Sequence, residues 1–156
     1  MKDKVEQLIR NKQYDEARNI LFNNGNNLEG AEKNYYIAVT FDAQGAERKA
    51  IPYYEQVIEE GIDEERLIAA YCQLGSSYRS IGQYEEAERL LKAGLQRYPT
   101  NEALNVFYAM VLYNQNKAKQ GMEILLHLVA QCSSIEWIKK YENAISFYAK
   151  QLDKTW

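Results

Sequence analysis

Small side chains recur along this chain at a nearly constant interval, each followed four positions later by an apolar one: Ala17 and Leu21, Ala50 and Tyr54, Ala87 and Leu91, Gly121 and Leu125. The small residues are 33, 37 and 34 positions apart, and turn positions keep the same phase at Lys12, Gly45, Gly82 and Asn116. A period in this range marks an architecture of stacked supersecondary units, none of which buries its apolar face alone. A small residue where two helices cross lets their backbones approach closely. The pattern therefore predicts a series of helix pairs, an all-α protein with no sheet.

The order Tyr71-x-x-Leu74-Gly75-x-x-Tyr78, then Ala87-x-x-x-Leu91, then Pro99 resembles the tetratricopeptide repeat (TPR), a helix-turn-helix unit of about 34 residues. Weaker copies stand on either side. One is Asn34-x-x-Ile37-Ala38-x-x-Phe41 with Ala50-x-x-x-Tyr54, the other Asn105-x-x-Tyr108-Ala109-x-x-Leu112 with Gly121-x-x-x-Leu125. The chain looks most like the short bacterial members of that family, on the region from Ala46 onward. The resemblance implies a TPR-type α-solenoid, a right-handed superhelix of antiparallel helix pairs. We expect one domain over 1–156, with a partial repeat at about 1–27, repeats at about 31–64, 68–101 and 102–135, and a capping helix at about 134–153.

Local signals refine these elements. Val5, Leu8 and Ile9 mark one face of a short first helix, Tyr14, Ala17, Ile20 and Leu21 its partner, and the run Asn23-Asn24-Gly25-Asn26-Asn27 a C-cap and turn. Asn34 stands where the family has a large aromatic, and Pro52 falls inside a helix that it should bend. The interval of 37 predicts that the central first helix begins early, at Asp63, with nearly an extra turn. Pro99-Thr100-Asn101 reads as a stop and an N-cap, and Ser133-x-x-Glu136 as a capping box. The last helix should then bury a stripe of Ile138, Tyr141, Ile145, Tyr148 and Leu152, with Phe147 off it as a self-association candidate.

Composition narrows the function classes. A net charge of −3 leaves no basic surplus to neutralise phosphates, which argues against nucleic acid as a partner. The charged N-terminus and the lack of a long apolar run argue against a signal peptide or a membrane partner, so a cytoplasmic protein is expected. Cys72 and Cys132 follow no disulfide pattern. The single histidine, His127, and Glu123 four residues before it read as a solvent-facing pair, and Ser76 and Ser77 as helix-packing residues. The carboxylates Glu59, Glu60, Asp63, Glu64 and Glu65 read as a solvated turn and helix start. No constellation for an enzyme, cofactor or metal is present in the sequence.

In the TPR family the first helices of the pairs line a concave groove. The resemblance places Tyr35, Val39 and Asp42, then Cys72, Ser76 and Arg79, then Val106, Met110 and Tyr113 on that surface. The lysines and asparagines with which well-known members grip a terminal carboxylate are missing, so an apolar or amphipathic peptide is the better guest. The opposite reading, that the chain's own ends fill the groove, stays open here. The expected function is non-catalytic binding of a partner protein's peptide or helix. The alternatives are a homo-oligomeric structural subunit, joined through the cap helix or convex face, and a peptide-sensing regulator.

Overall fold

The computed structural model describes residues 2–23 and 28–155. Most of the expected turn at Asn24, Gly25, Asn26 and Asn27 lies outside them, as does Trp156. Ten helices run through the described residues, with no strand among them. In chain order they are α1 (Lys2–Arg10), α2 (Tyr14–Phe22), α3 (Gly30–Asp42), α4 (Glu47–Glu60), α5 (Glu64–Ser80), α6 (Tyr84–Arg97), α7 (Glu102–Asn114), α8 (Ala118–Cys132), α9 (Glu136–Lys140) and α10 (Glu142–Ala149). They form the predicted all-α succession of adjacent pairs.

All four predicted turns share one geometry. Lys12, Gly45, Gly82 and Asn116 have φ of 59°, 70°, 81° and 60°, the left-handed region. In each turn the next residue's N–H donates five positions back, Gln13 to Leu8, Ala46 to Phe41, Gln83 to Tyr78 and Lys117 to Leu112. The left-handed residue itself donates three back, so every pair is joined by a Schellman motif that satisfies carbonyls at the end of the first helix.

The crossing points follow the same period. Ala17, Ala50 and Ala87 are fully buried and Gly121 is buried, while Leu21, Tyr54 and Leu91 are fully buried four positions on. Each such apolar side chain contributes about 1.5–3 kcal/mol by leaving water. Helix starts also follow the sequence. Asp63 caps α5 by accepting from Arg66 N at 3.1 Å, and Asn101 caps α7 by accepting from Leu104 N at 3.0 Å. At 17 residues against 13 for α3, α5 has the predicted extra turn. α4 continues through Pro52, and Asn34 bonds across the pair to Gln56 at 2.9 Å.

The chain clusters into two compact units, 1–90 and 91–156. In the first, α1 packs on α2, α2 on α3, α3 on α4, and α5 on α3 and α4. Its core joins Val5, Leu21, Leu28, Tyr36 and Ile37, flanked by Ile9, Ile20, Tyr35, Phe41 and Tyr53. In the second, α8 packs against α7, α9 and α10.

The end of the chain departs from expectation. The predicted single helix is two, broken at Tyr141, whose N–H donates to Ile138 O at 3.1 Å. A helix over 134–153 would be about 30 Å long, against about 22 Å for the fifteen-residue α8 it packs on, and two short helices stay within that length. The capping box does not form, because Ile135 occupies the N-cap and the Ser133 hydroxyl accepts from Ile135 N at 3.2 Å. Nor is the stripe buried as a whole: Tyr141, Tyr148 and Leu152 are exposed, and the deepest residue of α10 is Ala149.

Candidate functional site

On the first unit, α1, α3 and α5 border two adjoining pockets. The larger, about 420 Å³, is lined by Lys2 and Glu6 of α1, Tyr35 and Tyr36 of α3, and Asp63, Glu65 and Arg66 at the start of α5. The smaller, about 220 Å³, shares Glu6, Tyr35 and Tyr36 and adds Ile9, Arg10, Val39 and Gln73. Tyr35 and Tyr36 meet edge to face, with centroids 5.8 Å apart, and line both pockets.

Polar side chains are fixed around these two rings. The Tyr36 hydroxyl donates to Glu6 at 2.5 Å, which ties α1 to α3. Glu32 accepts from Arg66 at 2.7 Å and pairs with Lys2 at 2.9 Å, while Arg66 also reaches Asp63 at 2.5 Å. Those bonds, Arg66 first and then Lys2, hold the Glu32 carboxyl below its usual range. Burial raises the Tyr35 hydroxyl above its ordinary value; nearby Arg66 opposes the rise, and the charges of Asp63 and Glu65 add to it.

The nine positions expected to line a groove fare differently. Tyr35 and Val39 line the pockets. Asp42 turns to α5 and accepts from the Ser77 hydroxyl at 3.1 Å; burial raises its pKa, partly offset by that bond. Cys72 is buried, and burial pushes its thiol up to about 11. Ser76 and Arg79 are half-buried. In the second unit Val106 is half-buried, Met110 is exposed, and Tyr113 is 70% exposed.

Three pocket residues that were not among the expected groove positions carry a plain signal. Lys2, Glu6 and Ile9 lie one period, 33 positions, before Tyr35, Val39 and Asp42. They hold in α1 the place those residues hold in α3. Tyr36 lines both pockets and Gln73 the smaller, at positions outside that phase.

A third pocket, about 480 Å³, lies in the second unit between the start of α7 and the later half of α8, with His127, Cys132 and Asn105 in its wall. Glu123 and His127 are both half-buried. Among the described residues no group of three or more His, Cys, Asp and Glu is placed to hold a metal ion. Both cysteines are free thiols. No helix among the described residues is long and apolar enough to cross a membrane.

Helix pairs at a fixed period, closed by one kind of turn, define a helical-repeat protein. The family model described as Tetratrico peptide repeat matches residues 32–152, and the chain belongs to the tetratricopeptide repeat family. A search of curated proteins finds no match to the chain. Repeats of this family generally mediate protein–protein interaction, and the family is generally a non-catalytic scaffold.

Proposed function

We propose that this chain is a non-catalytic adaptor that binds a segment of a partner protein on the face formed by α1, α3 and α5. The observation that carries this reading is the pair of adjoining pockets sharing Glu6, Tyr35 and Tyr36. Side chains projecting from one extended or helical segment fill neighbouring pockets of this kind, while the groove's rim excludes water. Met110 and Tyr113 offer a further exposed apolar surface on α7 of the second unit. The test is photo-crosslinking in the source cell from a benzophenone residue at Val39. A discrete partner, lost when Glu6 is changed to Lys in the same protein, supports the reading; crosslinking that is equal from exposed Arg48 on α4 overturns it.

A second reading, self-assembly through the last helices, is favoured by one observation. Trp137 is 65% exposed and Ile135, Tyr141, Phe147 and Tyr148 are more than half exposed, whereas among the described residues of the first unit Phe22 alone is an exposed large apolar side chain. Sedimentation over a range of concentrations tests it: association that Trp137→Glu abolishes supports it, and a monomer throughout removes it.

A further inference from the structure

The two pockets of the first unit differ in chemistry. Around the larger stand two cations, Lys2 and Arg66, and four carboxylates, Glu6, Glu32, Asp63 and Glu65. Both cations are engaged: Lys2 with Glu32, and Arg66 with Glu32 and Asp63. Glu65 makes no ion pair among the described residues, and its charge acts on the Tyr35 hydroxyl together with that of Asp63. The surplus at this pocket is therefore negative, beside two aromatic rings. The smaller pocket has Ile9 and Val39 in its wall. Arg10 borders only this smaller pocket and lies 4.0 Å from Glu6, while Glu65 borders only the larger.

We propose, building on the groove reading above, that the partner's segment places a lysine or arginine side chain in the larger pocket and an adjacent apolar side chain in the smaller. The stem of a lysine or arginine lies along the ring of half-buried Tyr35, and its charged head reaches Glu65 and Glu6. An acidic side chain there would meet Glu65 and Glu6 with no uncommitted cation to offset them. The chain thus selects basic amphipathic segments through charge, and the apolar pocket sets their register.

The probe is a library of random peptides displayed on phage, selected on the whole chain and in parallel on its Val39→Glu variant. The expected result is enrichment, on the unmodified chain alone, of peptides with a lysine or arginine beside an apolar residue. Affinity for such a peptide should fall about fivefold in Glu65→Lys, by less in Glu65→Gln, and on raising the salt. Circular dichroism of both variants separates lost binding from lost folding. Enrichment of acidic or uncharged peptides would overturn the charge assignment and leave the groove standing. Equal enrichment on Val39→Glu would overturn the groove reading and this inference together.

Discussion

A Cβ built on Gly121 would stand 2.8 Å from the carbonyl oxygen of Ala109, closer than real Cβ atoms approach backbone. α7 and α8 therefore cross with their backbones nearly touching, at the place the earlier pairs give to Ala17, Ala50 and Ala87.

Replacing a helical glycine by alanine ordinarily stabilises by about 1 kcal/mol. At Gly121 the sign should reverse, because the obstacle is backbone that cannot rotate away. We expect Gly121→Ala to lose about 1–3 kcal/mol in urea denaturation. A midpoint that holds or rises would show that the crossing has room.

Lys12 and Asn116 occupy left-handed backbone that glycine holds at the other two turns. A lysine there is strained by its Cβ, whereas asparagine tolerates the region better. Lys12→Gly should raise stability by about 0.5–1 kcal/mol and Asn116→Gly by less, since glycine's greater freedom in the unfolded chain offsets part of the relief. Thermal melts of the two variants check the order.

The two thiols should react at separate rates. Cys132 is exposed, while Cys72 is buried with its pKa pushed up to about 11, so at pH 8 only about one Cys72 in a thousand is a thiolate. With a chromogenic disulfide reagent we expect one fast equivalent, removed by Cys132→Ser, and a second released only on unfolding. Two fast equivalents would place Cys72 at an open surface.

Asp42 links acid to stability. Burial raises its folded pKa above the unfolded value near 3.8, so the folded state holds the proton more tightly. Its carboxylate therefore opposes folding above the folded pKa, and the opposition fades as pH falls through that value toward 3.8. Asp42→Asn, which can still accept from Ser77, should be more stable than the unmodified chain at pH 7 and converge with it in acid. A constant difference across pH would point to packing instead.

The period read from Ala17, Ala50, Ala87 and Gly121 anticipated where the helix pairs turn, down to a left-handed lysine that no propensity would have chosen. It also held a pointer to α1, since Lys2, Glu6 and Ile9 continue the phase of Tyr35, Val39 and Asp42. Other parts were not legible. Ser133 and Glu136 have the spacing of a capping box, yet the chain leaving α8 must reverse before α10 can lie along it, and the residue at the helix start is Ile135.

What this sequence determined unaided is the number, phase and joints of its helix pairs, because crossing residues and turn residues act on neighbours a few positions away. Tertiary structure alone decided which of the expected groove positions meet solvent: Tyr35 and Val39 at pockets, Cys72 sealed, Asp42 drawn to Ser77 some 35 residues on. Accessibility depends on which distant helix lies over a side chain. That outcome sums many weak contacts across the fold, and no local pattern of residues contains it.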